Sequence, residues 1–372
     1  MRGGASRAAF ACLLGLAALD AAGYSVIAPV VPAIARRTDS GPALVGALVT
    51  IFAVGQLVGY PLAGRGIRRR HAAVVLGAAL ALVAVGDLGF VLGDGLGVYF
   101  PSRFVQGIGA GGLWMGITFG VLERYPDDAY RRLSQVTAAY SLGSVAGPAI
   151  GAIGGVRGPF VAHLALIAAG AGAVVAIGTP ESPARFGSDR AALRTPGFLL
   201  ACAGILAVAL SLGTLEGPLA LHFGSHLSQS RIGAVYAATA IVVGISAAAA
   251  ARLPWRPALA AGVALLSACV AVVAATDTIA IWLPVLALLG IGFGLAETGS
   301  LGVLLEAVGT ARMVLAMVVW SQVWGIGYLA GPAAGGGLAQ AFGAWAIGLV
   351  SLAAALVVAA AFAFSARERA AR

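Results

Sequence analysis

Four charged side chains stand where the surrounding sequence is apolar, and they are the groups in this chain best placed to do chemistry. Asp20 lies in LLGLAALDAAGYSVIAPVVPAIA, Arg103 in RFVQGIGAGG, Glu216 in SLGTLEGPLALHFG and Glu297 in GFGLAETGSLG. A charge at the centre of a lipid bilayer costs about 3 kcal/mol or more, so such a group pairs, meets water or, for a carboxylate, takes up a proton. The chemistry on offer is reversible: hold a proton in one state, attract a cation in another. Tyr24 follows Asp20 by one helical turn on the same face and adds an aromatic wall and a hydroxyl. Other chemistries find no support. There is no phosphate-cradling loop between a strand and a helix and no His-Glu-x-x-His, and His163, His222 and His226 are not spaced as a metal trio. Cys12, Cys202 and Cys269 fall in apolar runs without ligand spacing and read as small core residues. Neither cofactor nor metal is expected, so energy must come from an ion or substrate gradient. A lone carboxylate fits protons better than sodium, which usually needs several oxygens at one site.

The elements that must position these residues are membrane-spanning helices. Hydrophobic residues make up 60% of the 372 and charged ones 10%, against roughly 25% charge in a soluble domain. The 54 glycines suit close helix packing in lipid. Windows of about 20 apolar residues, the length needed to cross, fall at roughly 8-31, 43-63, 72-92, 97-121, 134-155 and 160-179, then 197-217, 231-251, 257-275, 280-304, 314-336 and 342-364. The fold class expected is all-α and polytopic, with twelve transmembrane helices in two six-helix bundles. The bundles are placed at 1-180 and 197-372, with a polar cytoplasmic linker at 181-196. The first span continues through Asp20 and two prolines without a convincing cleavage site, so it reads as a retained helix and not a signal peptide. With the N terminus inside, eighteen arginines fall on the cytoplasmic side and only Arg36, Arg37, Arg157 and Arg231 on the other. This positive-inside bias puts both termini in the cytoplasm and accounts for the net charge of +9 without a nucleic-acid partner.

The halves repeat. Gly143, Gly147, Pro148 and Gly151 in the fifth span recur 184 residues later as Gly327, Gly331, Pro332 and Gly335 in the eleventh. Glycines at i, i+4 and i+8 line one helix face, and the proline frees a carbonyl and bends the helix. Close packing of small residues would explain the glycines equally well. Two parallel repeats, each starting inside, are one arrangement of alternating-access carriers.

With these motifs the chain resembles the major facilitator superfamily, and within it the twelve-span drug/proton antiporter branch. The fifth-span residues are similar to the antiporter motif of that branch, although the motif's earlier glycine falls on Gln135. LAGRGIRRRHAAV resembles the family's basic loop after the second span: Arg65, Arg68 and Arg69 match, while Gly64 replaces its acid and Ile67 a glycine. A stop-transfer charge cluster is the other reading of those arginines. Arg103, Gln106, Gly107 and Gly111 match the fourth-span motif, and the tenth span keeps its glycines but not the arginine. Arg103 is therefore expected to serve coupling in one half, charge at that depth being the requirement, unless it snorkels to the boundary. Asp87, at a similar depth on the neighbouring span, is its expected partner if the third span extends that far.

Asp20 followed by Pro29 and Pro32 is similar to the first span of vesicular monoamine transporters and their bacterial multidrug relatives, and Glu216 with Pro218 resembles their seventh-span signature. Glu216 lies near the exit face, where a solvated rim acid is the alternative. Glu297 is expected to be buried and is argued on intramembrane charge alone. The expected assignments are proton coupling through Asp20, Arg103 and Glu297, and substrate binding by Asp20, Tyr24, Gln106, Trp114, Glu216, Trp320 and Gln322. The conformational motif comprises Gly143, Gly147, Pro148, Gly151, Arg65, Arg68, Arg69, Gly331 and Pro332.

The resemblance implies a secondary transporter of the bacterial inner membrane, working as a monomer, that exports small amphipathic and often cationic compounds in exchange for protons. A uniporter or proton symporter for a polar nutrient such as a sugar would use the same fold. A non-transporting scaffold or receptor would be expected to carry a sizeable soluble extension, which this sequence does not show.

Overall fold

In lipid every backbone polar group must be satisfied within the protein, and a long apolar segment does so as a helix. The computed structural model describes residues 2–69, 72–178, 191–250, 252–309 and 313–370. Its helices are α1 (Arg2–Ser25), α2 (Ile27–Thr38), α3 (Pro42–Arg69), α4 (Ala72–Leu92), α5 (Leu96–Arg124), α6 (Ala129–Gly151) and α7 (Arg157–Ile177), then α8 (Pro196–Glu216), α9 (Pro218–Gly224), α10 (Gln229–Ala250), α11 (Trp255–Ala274), α12 (Ile279–Val308), α13 (Met313–Phe342) and α14 (Ile347–Ala370). Ten stretches among the described residues are long and apolar enough to cross a membrane, with α1–α2 and α8–α9 each counting as one. The two remaining long helices, α6 and α13, are 23 and 30 residues long and carry the glycine-proline motif.

Both broken spans break for a reason written in the sequence. Pro29 has no N–H for the Ser25 carbonyl, and α1 ends at Ser25, whose hydroxyl turns back to the Ala21 carbonyl at 2.7 Å. Pro218 follows Gly217, whose φ of −101° and ψ of −97° leave the helical region and separate α8 from α9. Asp20 sits one turn before the first break and Glu216 directly before the second.

The described chain divides into two compact units. One comprises Met1–Ser40, Ile51–Arg185 and Leu227–Ala237; the other Gly41–Thr50, Phe186–His226 and Ala238–Arg372. In the first, α1 packs on α5, α6 and α7, and α4 packs on α5 and α7. In the second, α8 packs on α12, α13 and α14, and α11 packs on α12 and α14. Each pairing of the first unit has its counterpart one half-chain later, so the sequence repeat is a repeat of packing.

The glycines of the repeated motif are what permit these contacts. A Cβ on Gly147 would stand 2.5 Å from the Ala22 carbonyl of α1, and one on Gly151 2.6 Å from that of Val26; on α13, one on Gly327 would stand 2.8 Å from the Leu206 carbonyl of α8. The prolines behave alike too. The Pro148 carbonyl faces Gly233 in the first unit, and the Pro332 carbonyl faces Gly46 in the second, where added Cβ atoms would lie at 2.7 and 3.0 Å. Beside them, Gln229 Nε2 donates to the Gly151 carbonyl at 2.7 Å and Thr50 Oγ1 to the Leu329 carbonyl at 3.2 Å.

The end of α3 differs from that expected, and the end of α4 falls where it was expected. Helix α3 continues past residue 63 through Arg69, so Arg65 lies exposed on its last turns and not in a free loop. The side chains of Arg68 and Arg69, and the linker through residue 190, lie outside the described residues. Helix α4 runs unbroken to Leu92, which keeps Asp87 inside the bundle. Outside it, Arg37 at the end of α2 forms a two-point pair with Asp94, at 2.7 and 2.6 Å, and this guanidinium holds the Asp94 carboxyl below the usual range.

Candidate functional site

The charged groups of the first unit gather at the level of the α1 break. Asp87 on α4 is 1% exposed and His163 on α7 is fully buried. His163 Nδ1 lies 2.6 Å from Asp87 Oδ2. The other ring nitrogen, Nε2, lies 3.3 Å from the Leu19 carbonyl. Both nitrogens thus face acceptors, an arrangement the doubly protonated imidazolium satisfies. Gln106 Nε2 donates to the second Asp87 oxygen at 2.6 Å, and Arg103 Nη1 donates to Gln106 Oε1 at 3.0 Å. Arg103 Nη2 reaches the Tyr24 carbonyl on the last turn of α1 at 3.3 Å, and the guanidinium lies over the Phe52 ring, 4.1 Å from its centre. Arg103 is fully buried and does not snorkel. It reaches Asp87, its expected partner, through Gln106.

Asp20 is 6% exposed and shares with Tyr24, Gln106 and His163 the lining of a gap of about 10 Å³, the space of a single water. Gly23 is part of this design. A Cβ there would collide with the His163 ring, so only glycine lets the imidazole approach α1 beside Asp20. Tyr60 of α3 is also buried.

In the second unit Glu216 is 4% exposed. Its place in the interior follows from the α8–α9 break, and Tyr328 Oη donates to its Oε2 at 2.6 Å. Trp324 stacks on Tyr328, with ring centres 5.2 Å apart. Trp320 is buried and donates to Ser300 Oγ at 3.1 Å, which in turn donates to the Ala201 carbonyl. Gln322 is half-buried, as is Glu297, which was expected to be buried. In the first unit Trp114, half-buried, meets Tyr140 edge-on. A larger cavity of about 350 Å³ between α8, α13 and α14 is lined by alanine, leucine and valine and holds none of these residues.

The structure therefore brings together Asp20, Tyr24, Gln106 and Arg103, and separately Glu216 with the Trp324–Tyr328 face of α13. The profile of the Major Facilitator Superfamily matches residues 13–319. The chain belongs to the major facilitator superfamily. It is 31% identical over 155 residues to Multidrug resistance protein 2 of Bacillus subtilis (strain 168), a match covering 40% of this chain and 38% of that protein. It is 29% identical over 130 residues to Multidrug resistance protein 1 of the same organism, covering 35% and 33%. The chain thus spans less than two fifths of the length of these curated relatives. A bacterial homologue of the human lysosomal transporter Spinster superposes over 97% of this chain and 96% of its own, with a TM-score of 0.75 at 15% identity. The human organic anion transporter MFSD10 does so over 95% and 99%, with a TM-score of 0.73 at 16% identity. At those identities the likeness concerns the fold. With ten described stretches long and apolar enough to cross a membrane, it is an all-α polytopic membrane protein on the fold of this superfamily.

The sequence assigns no role to His163 or Tyr328, which the structure places against Asp87 and Glu216. For His163 a signal exists: it is an ionisable residue inside the apolar run FVAHLALIAAG, which is by default a candidate for function.

Proposed function

We propose that this transporter is a proton-coupled antiporter of the drug/proton branch, exporting small amphipathic compounds, cations among them, with Asp20 as the group that takes up and releases the proton. The observation that carries the reading is the position of Asp20, one turn before the α1 break and lining a water-sized gap with His163, whose partners lead through Asp87 and Gln106 to Arg103. Arg103 and His163 balance the ionised form, and the gap gives the proton a place to arrive. Tyr24 offers an aromatic face to a cation attracted by the same carboxylate. In the second unit Glu216 and Tyr328 form the companion polar site, and Trp320 and Gln322 extend the surface of α13. Glu297 is a further proton site of the same kind.

Export is favoured by the fifth-span motif and by the names of the two Bacillus relatives, which match part of this chain. The halves are placed at 1-180 and 197-372, joined by 181-196. The arginine-rich face is placed in the cytoplasm of a bacterial inner membrane, and the working unit is a monomer. An efflux screen in inverted vesicles across cationic, neutral and anionic compounds tests substrate class. Cations such as tetraphenylphosphonium are expected to be transported, and export restricted to anions would move the substrate role from Asp20 to Arg103. For orientation, Arg190→Cys is expected to react only with reagents reaching the cytoplasmic face and Ser228→Cys only with those outside. The reverse pattern would invert the topology.

A further inference from the structure

His222 lies on the short helix α9, and the turn that follows brings His226 beside it. Asp277 comes from the connection between α11 and α12, fifty-one residues further along the chain. We propose that these three side chains form a binding site for a divalent transition metal such as Zn2+.

Both imidazole Nε2 atoms lie 3.5 Å from the same atom, Asp277 Oδ1. One donor atom from each residue falls within 4.8 Å of the others. A separation of 3.5 Å is long for an N–H···O hydrogen bond, whose usual range ends near ~3.2 Å. It matches the edge of a coordination tetrahedron, since metal–ligand bonds of about 2.0–2.2 Å place neighbouring donors roughly 3.3–3.6 Å apart. Two imidazoles and one carboxylate form a donor set that suits zinc and its neighbours, whereas calcium and magnesium demand oxygen.

The surroundings hold this arrangement in place. Trp282 is buried, and its ring meets those of His222 and His226 edge-on at 5.3 and 5.5 Å. Its Nε1 donates to the Thr276 carbonyl at 2.9 Å, fixing the residue immediately before Asp277. One indole thus orients both imidazoles and the turn that carries the acid, the kind of outer support metal ligands require. His222 Nε2 also lies 3.1 Å from the Thr276 carbonyl. In the metal-free protein it donates there, and metal binding displaces that proton. Asp277 is 75% exposed and His226 36%, so an ion enters directly from solvent. Bound metal ties the end of α9 to the α11–α12 connection, on the face opposite the arginine-rich one.

The test uses the full-length protein in detergent, free of affinity tag and stripped of metal. Titration with Co2+ is expected to give the intense visible absorption of a four-coordinate site, displaced by one equivalent of Zn2+. His226→Ala and Asp277→Asn are each expected to weaken Zn2+ binding by more than ~10-fold, and Trp282→Phe by roughly 10-fold. His226 and Asp277 are accessible to solvent, so both variants are expected to melt like the parent when metal is absent. Absence of saturable Co2+ binding in the parent protein would overturn the proposal, as would undiminished Zn2+ affinity in both His226→Ala and Asp277→Asn.

Discussion

His163 Nδ1 and Asp87 Oδ2, 76 positions apart in sequence, lie 2.6 Å apart with both side chains cut off from solvent. Removing one member of such a pair leaves the other buried and uncompensated, which costs about 3–5 kcal/mol, whereas removing both costs less than the sum. Asp87→Ala and His163→Ala are therefore each expected to lower the thermal midpoint markedly, with the double variant recovering part of the loss. Additive losses, followed by circular dichroism in detergent, would show that the pair is not coupled.

Arg103 spends its charge on geometry as well as electrostatics. One arm of the guanidinium meets Gln106, the other the Tyr24 carbonyl, and its plane covers Phe52. An ammonium cannot make these three contacts together, so the expectation drawn from charge alone has to be revised. Arg103→Lys is expected to lose most transport and Arg103→Ala nearly all of it, at comparable amounts of protein in the membrane. Normal transport by the lysine variant would reduce Arg103 to a point charge.

Spans and repeat were legible because each is local: apolar runs and glycine spacing act within one or two turns. The partners were not. Asp87, Gln106 and His163 meet because α4 packs against both α5 and α7, and nothing in the spacing of one segment declares its neighbour. The same holds for Asp277, which joins His222 and His226 from a different connection, so that a search for three histidines could not find it. Helix α3 outran its expected end because arginine is a good helix former and Gly64 and Gly66 lie too near its end to stop it.

Two glycines to alanine separate close packing from mere flexibility. Gly147 faces the Ala22 carbonyl with no room for a methyl group, whereas nothing lies within 4 Å of a Cβ on Gly15. Gly147→Ala is expected to destabilise the α1–α6 contact and reduce transport. Gly15→Ala is expected to be neutral or to stabilise by up to about 1 kcal/mol through helix propensity. Equal melting temperatures for the two variants would contradict the packing role of the motif.

Tyr328→Phe removes the hydroxyl that donates to Glu216 and leaves a buried carboxylate without that bond, a loss of roughly 1–3 kcal/mol. The aromatic stack with Trp324 survives the change. Transport is expected to fall with little change in protein level, and Glu216→Gln combined with Tyr328→Phe is expected to melt higher than Tyr328→Phe alone. No difference between those two variants would remove the Glu216–Tyr328 bond from the account.

The claim at the centre is that one proton is taken up and released at Asp20. It is tested by proton release from purified protein in weakly buffered detergent on addition of tetraphenylphosphonium. The parent protein is expected to acidify the solution in proportion to cation bound, and Asp20→Asn, folded and present at the same concentration, to release none. Undiminished release from Asp20→Asn would place the proton elsewhere in the molecule.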